Sequence, residues 1–310
     1  MPINPAHIQR FSKLELIAKQ IVEGFLTGLH KSPNHGFSVE FAEHRIYNQG
    51  ESTKNIDWKL YARSNKLYTK KYDEETNLRC HLIVDCSSSM RFPSSNNNEL
   101  EQLNKLGFSM YAAAALLSLI RKQRDAVGLS FFDDKTTFHS PLKNTENHSK
   151  WLIQKIEEEL FNPSKKGKTT DIITALKNTA ERAKSKSLII VFSDFIQTTG
   201  NDFLKQIVTV LKRLSHQQHE VLVFNVFDQS REVELNFDNR PYKFVDSETG
   251  ESIKLNPDQH KAAYRQQKEE EFNQFKNTLL KHKIEYIESD INKGFDHILL
   301  SYLLKRKRLK

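Results

Sequence analysis

Apolar positions along this chain keep two rhythms. Short apolar runs, HLIVD at 81–85, AVGLSFFD at 126–133, SLIIVFSD at 187–194 and VLVFNVFD at 221–228, have the length and the β-branched or aromatic content of buried strands. Between them apolar side chains recur at helical spacing. Leu103, Leu106, Met110, Ala113, Leu117 and Ile120 mark one helix; Trp151 to Leu160 marks a second, stopped by Asn162-Pro163; Ile172, Ile173, Leu176, Ala180 and Ala183 mark a third, and Asp202 to Leu214 a fourth. Thr136 to Leu142 adds a short edge strand, antiparallel if it follows the tight Asp133-Asp134-Lys135 turn. Residues 229–258 interrupt the alternation with EVELNF and a hairpin around Asp246–Gly250. A long charged helix from Pro257 to Lys281, a strand at 284–289 and a helix carrying Phe295, Ile298, Leu299, Tyr302 and Leu303 close the chain. Regular strand–helix alternation predicts an α/β, doubly wound, mainly parallel sheet over residues 78–304.

Residues 1–77 read as an N-terminal extension, helical and then β. Ile8, Phe11, Ala18, Ile21, Val22 and Phe25 form one sticky stripe among Lys13, Glu15, Lys19 and Glu23. The mixed polar face predicts docking onto protein rather than a membrane surface. Lys31–Gly36 breaks the helix, and residues 37–80 then interleave aromatics with charges of both signs, a pattern expected to form internal ion pairs.

The candidate chemistry gathers at strand ends. Asp85 ends the first buried strand, and Ser87 and Ser89 follow at alternate positions, so three oxygen-bearing side chains crowd one turn. Mg²⁺ takes near-octahedral oxygen ligands at roughly 2.0–2.1 Å and keeps several waters, which an outer carboxylate can orient. Asp194 ends another buried strand, and Thr170 opens the helix carrying Leu176. Aspartates at strand ends with a loop threonine between them suit the carboxyl edge of a parallel sheet, where open α/β folds bind ligands. Each piece alone has a plainer use, Asp-Cys-Ser-Ser-Ser as a polar loop and Thr170 as a helix cap before Asp171; their conjunction in this order favours a cation site.

This constellation resembles the metal-ion-dependent adhesion site of von Willebrand factor A domains, whose pattern is Asp-x-Ser-x-Ser, a loop Thr and a later Asp. The resemblance implies that Ser87, Ser89 and Thr170 ligate the ion directly while Asp85 and Asp194 act through water. In the family the threonine lies five residues before the Ala of an Ala-Leu pair, here Ala175-Leu176; a slip of one register would put Thr169 in its place. Upstream, EHRIYNQGESTKNIDWKLYARSNKLYTKKYDEE is similar to the bacterial domain-of-unknown-function 58 family, with Arg45, Tyr47, Gly50, Ile56, Asp57, Trp58, Ala62, Arg63 and Glu75 at its motif positions. Asn48-Gln49-Gly50-Glu51 stands where the family has Pro-Gly-Asp, a change that keeps the negative charge and loosens the turn. Arg45, Tyr47, Gly50, Asp57, Trp58, Arg63 and Glu75 are expected to be structural. Members of that family often lie beside MoxR-type AAA+ ATPases, which the resemblance makes the expected partner.

Composition narrows the function classes. The net charge is +8, but KRKRLK at 305–310 supplies five positive charges, leaving about +3 on a well-mixed remainder; the tail reads as a solvated basic end. No apolar run approaches the roughly 18–20 residues of a membrane span, and the longest, MYAAAALLSLI at 110–120, ends in Arg121-Lys122. The first residues lack the order of a secretory signal, so a cytoplasmic protein is expected. Cys80 and Cys86, six residues apart on or beside one strand, would lie about 20 Å apart, too far to bridge, and read as buried thiols. SKKGK at 164–168 does not satisfy Gly-x-x-x-x-Gly-Lys-Ser/Thr, which removes a phosphate-binding loop. The histidines are scattered, and no nucleophile or general base accompanies the candidate cation site. The expectation is therefore a non-enzymatic, Mg²⁺-dependent (or Mn²⁺-dependent) protein-interaction module. The alternatives are a metal-dependent phosphoesterase and nucleic-acid binding through residues 59–71 and the basic tail.

Overall fold

A computed structural model describes residues 5–31, 44–46, 58–64, 66–70, 78–93, 103–161, 171–183, 186–195, 200–247 and 249–309. The chain separates into two compact units, one of residues 1–23 with 78–309 and one of residues 24–77 with 310.

The larger unit is a mixed α/β fold of the doubly wound, Rossmann-like kind. Its six-stranded sheet has the order β10-β7-β6-β3-β4-β5, where β3 is Arg79–Asp85, β4 Ala126–Phe132, β5 Thr136–His139, β6 Ser187–Ser193, β7 Glu220–Phe227 and β10 Glu285–Asp290. All neighbours pair in parallel except β4 and β5, whose antiparallel pairing follows the tight turn seen in the sequence. β3, β6 and β7 are buried almost end to end, as strands covered by helices on both faces must be.

Helices α5 (Ile172–Arg182), α6 (Gly200–His216) and α7 (Pro257–Lys281) cover one face, where Ile172, Leu176, Ile207, Leu211 and Leu279 meet Ile83, Val191 and Val223. The other helices are α3 (Lys105–Lys122), α4 (Glu146–Phe161) and α8 (Asp296–Leu309). α3 is buried nearly all round, which accounts for its long apolar run. α1 (Pro5–Lys31) belongs to this unit through its first turns: Leu14, Ala18 and Val22 are buried, the Leu14 amide donates to Glu157 of α4 at 3.3 Å, and Glu15 pairs with Arg121 of α3. Docking against protein, read from the stripe, is what these residues do; Leu14 was missing from the stripe, and Ile8 and Phe11 have side chains outside the described set.

β3 is the first strand of the sheet, with β4 added on one side and β6, β7 and β10 on the other, so the chain reverses direction at β3 and β6. At such a switch point the loops leaving the two strands part to opposite faces and open a crevice at the carboxyl edge.

The interruption after β7 opens with a π-helical turn at Gln229–Val233, which runs into the EVELNF segment, and continues to the hairpin β8 (Tyr242–Val245) and β9 (Ser252–Leu255) expected around Asp246–Gly250. The hairpin closes with Gly250 at φ 76°, a conformation natural to glycine. At 25 residues α7 is about 37 Å long, nearly twice the roughly 20 Å of β10. Its Phe272 packs on Phe227, the last residue of β7. Residues 257–271 of α7 therefore extend past the carboxyl end of β7.

KRKRL at 305–309 is the end of α8 rather than a solvated tail. Lys305 is buried between Glu220 and Glu285, and Arg306 pairs with Asp125. Cys80 and Cys86 are buried free thiols. In the smaller unit β1 (His44–Ile46) pairs antiparallel with β2 (Tyr68–Lys70), and α2 spans Trp58–Ser64. Among the described residues no helix is long and apolar enough to cross a membrane.

Candidate functional site

The carboxyl ends of β3 and β6 bring Asp85, Ser87, Ser89, Ser193 and Asp194 to the switch point. All five are buried, Asp85 and Ser87 completely. The β3 hydrogen-bond ladder carries Asp85 to the edge, and the Cys86 amide, donating to the Phe132 carbonyl at 2.8 Å, holds the turn against β4. Asp85 fixes that turn: its Oδ1 accepts from the Ser87 amide at 2.9 Å, and its Oδ2 accepts from Ser193 Oγ at 2.7 Å. Ser193 Oγ in turn accepts from the Phe195 amide at 3.1 Å, so one serine ties the two strand ends. Ser89 starts a 3-10 turn, Ser89–Arg91, that aims its hydroxyl back at Ser87.

The two hydroxyls are hydrogen-bonded to one another, with their oxygens 3.1 Å apart. Adjacent ligands of an octahedron with roughly 2.0–2.1 Å bonds stand about 2.9 Å apart. Two hydroxyls at that separation, beside two buried carboxylates, form a donor set that suits a hard divalent cation. Burial, and then the charge of Asp194, push the Asp85 carboxyl up to about 7. A divalent cation beside the pair would relieve that repulsion.

Lys105 and Glu232 enter the cluster without having been read from the sequence. Lys105, at the first turn of α3, is 1% exposed; its ammonium donates to Asp194 Oδ2 at 2.8 Å and to Glu232 Oε1 at 2.5 Å. Burial alone would discharge it, but the Asp194 and Glu232 carboxylates hold its affinity for the proton above that of an ordinary lysine. Glu232 stands on the π-helical turn, and its second oxygen accepts from the Asp228 amide at 2.8 Å. Burial shifts the Glu232 carboxyl upward although Lys105 opposes it. The signal for Lys105 was available: it is the single charged residue of 105–120. Glu232 had no comparable signal, since a glutamate in a polar loop is ordinary.

Of the residues predicted from sequence, Asp85, Ser87, Ser89 and Asp194 lie together. Thr170, and Thr169 with it, lies outside the described residues. Next to them, Asp171 caps α5 by accepting from the Thr174 amide at 2.9 Å and donates its own amide to the Asp133 carbonyl at 2.8 Å, on the same edge as Asp85. Among the motif residues of the extension, Tyr47, Gly50, Asp57 and Glu75 lie outside the described set. Arg45 is on β1; Trp58, 61% exposed, meets Tyr61 edge-on at 6.1 Å, and Arg63 is exposed.

Fold and edge together define a doubly wound α/β protein with a buried hydroxyl–carboxylate cluster at its switch point. Residues 43–276 match the family described as "Protein of unknown function DUF58", and the chain belongs to that family. It is 24% identical over 222 residues to "Uncharacterized protein Rv1480" of Mycobacterium tuberculosis and, to the same degree, to "Uncharacterized protein Mb1516" of Mycobacterium bovis. Those matches span 72% of this chain and 65% of each relative. Among solved structures it is similar to the conserved hypothetical protein BatB from Bacteroides thetaiotaomicron, at 16% identity and a TM-score of 0.48, over 74% of this chain and 99% of that one.

Proposed function

We propose that this protein is a non-catalytic, Mg²⁺-dependent protein-interaction module with a von Willebrand factor A-like site. The supporting observation is the convergence of the Ser87 and Ser89 hydroxyls, hydrogen-bonded to each other at a spacing close to that of adjacent octahedral ligands, with buried Asp85 and Asp194 at the switch point. In this reading Ser87, Ser89 and Thr170 hold the ion directly, and Asp85 and Asp194 hold its waters. Hydroxyl ligands give the cation no negative charge, so an acidic residue of a partner completes its coordination. The partner we assign is a MoxR-type AAA+ ATPase or that ATPase's client, on the strength of the family resemblance. Mn²⁺, which favours the same oxygen donors, would replace Mg²⁺.

Calorimetric titration of Mg²⁺ and Mn²⁺ into the wild type and into Ser87→Ala tests the site, with circular dichroism to establish that both are folded. Single-site binding lost in the variant is expected, together with divalent-dependent capture of the purified ATPase by the wild type alone. Ion binding that survives Ser87→Ala overturns the site; ATPase binding indifferent to chelator overturns the role of the ion.

A further inference from the structure

Packing does not account for Lys105. α3 is otherwise uncharged from Leu106 to Ile120 and buried nearly throughout, and a buried lysine costs several kcal/mol of desolvation before its partners return anything. A methionine or leucine there would fit the helix. The ammonium instead bridges two carboxylates from separate elements, Asp194 after β6 and Glu232 on the turn after β7. Lys105 is the one charged side chain in the first turn of α3; the other charges of that helix, Arg121 and Lys122, lie in its last turn, and Asn104 before Lys105 caps the helix by accepting from the Gly107 amide at 2.7 Å.

A fixed cation on Asp194 acts on a neighbouring divalent ion in two ways. It repels the ion, and it occupies an Asp194 oxygen that would otherwise accept from an ion-bound water. Glu232 acts against both: it shares the ammonium and adds a negative charge 18% exposed at the rim. We infer that Lys105 is an internal counter-cation that sets the divalent-ion affinity of the Ser87–Ser89 site, with Glu232 as the residue that moderates it. Lys105 thus neutralises Asp194 when no ion is present and holds the ion's affinity down, so that the acidic side chain of the partner is needed for tight occupancy. The inference rests on the cation reading of that site and deepens it. Both residues are positioning residues, acting on the ion through Asp194 and through charge.

The experiment is a calorimetric Mg²⁺ titration of the full chain as wild type, Lys105→Met, Glu232→Gln and Ser87→Ala, each with its melting curve. Lys105→Met is expected to bind Mg²⁺ on the order of tenfold tighter than wild type and Glu232→Gln on the order of tenfold weaker. Opposite signs are the mark of a charge effect, since damage to the fold would weaken binding in both. Binding by Lys105→Met where the wild type shows none equally supports the inference. Should Lys105→Met fail to fold, Glu232→Gln decides alone, because it keeps the Lys105–Asp194 pair; wild-type affinity in either folded variant overturns the role assigned to that pair. Absence of ion binding from every folded chain, or binding that ignores Ser87→Ala, removes the cation site itself and this inference with it.

Discussion

At the scale of single residues the site is held by few, fully engaged groups, and its tolerance to change follows from them. Ser193 Oγ donates to Asp85 Oδ2, so Ser193→Ala removes a hydrogen bond from a buried carboxylate and should cost about 1–3 kcal/mol. Urea unfolding against the wild type measures it. Glu157 offers a test of α1 docking. Its carboxyl is buried against α1 with one oxygen on the Leu14 amide; burial, and after it the charge of Glu15, outweigh that hydrogen bond and raise it from 4.5 to about 8. The folded chain therefore keeps a proton that the unfolded chain releases between those values. The contribution to stability is complete below pH 4.5, declines as pH rises, and is gone above about 8. Glu157→Gln keeps the burial and cannot ionise, so wild type minus variant should lose about 1–3 kcal/mol between pH 5 and pH 8.5 in denaturant titrations, and an unchanged difference refutes the assignment. Three of the five site residues named from the sequence, Asp85, Ser87 and Ser89, stand out there because Asp, Ser and Ser after a buried strand have few other reasons to share a turn. Lys105 carries a sequence signal, as the single charge at the head of an otherwise apolar helix, but its partners are set only by the fold; a strand-end serine such as Ser193 is common, and only tertiary placement gives it meaning.

At the scale of elements, continuous apolar runs identified β3, β4, β6 and β7 because strands covered on both faces have no polar alternation to confuse with anything else. Helical periodicity found α3, α5 and α6 for the corresponding reason, each having a face or a whole surface buried. The π-helical turn after β7 escaped, since EVELNF alternates as a strand would while Asp228 bends it by accepting from the Arg231 amide at 3.1 Å. The projection of α7 also escaped: sequence gives the helix its length, but only the Phe272–Phe227 contact tells where the sheet ends beside it. These two kinds of element should respond differently to mutation. Leu176 is fully buried on α5, and Leu176→Ala should cost about 2–5 kcal/mol through lost contacts and a cavity. Ile253, 60% exposed on β9, carries little of the fold, so Ile253→Ser should change stability by no more than about 0.5 kcal/mol. Comparable losses in the two variants, measured by thermal unfolding, would mean that the hairpin is part of the cooperative core.

For the molecule as a whole, one buried carboxylate joins the entry to the first strand of the large sheet to the last helix. Asp125, at the turn into β4, accepts from the Leu78 amide at 3.1 Å, where the chain enters β3, and from Tyr302 Oη at 2.9 Å on α8. Arg306 supplies the charge, donating through Nε at 2.5 Å and reaching the Gln123 carbonyl through the same guanidinium. Lys305 makes a second closure one residue earlier, to Glu220 of β7 and Glu285 of β10. A basic hexapeptide at a terminus reads as solvated because composition cannot tell which charges face outward; helical spacing from Tyr302 turns Lys305 and Arg306 inward and leaves Lys307 and Arg308 exposed. The consequence is a terminus on which the fold depends. A chain ending at Leu304 would leave Asp125, 1% exposed at its side chain, without its cation and strip the pairing from Glu220 and Glu285. Breaking a buried pair from one side costs about 3–5 kcal/mol, and at about 2–4 °C per kcal/mol for a unit of this size the melting temperature should fall by at least about 6 °C. Arg306→Met alone should reproduce most of that loss, while Lys307→Met and Arg308→Met, at exposed positions, should not. The loss from Arg306→Met should also persist at 1 M salt, since water and ions do not reach Asp125 to screen it. A truncated chain that melts with the wild type would return these charges to the solvent and the closing of the molecule to the apolar face of α8, where Ile298, Leu299 and Tyr302 are buried.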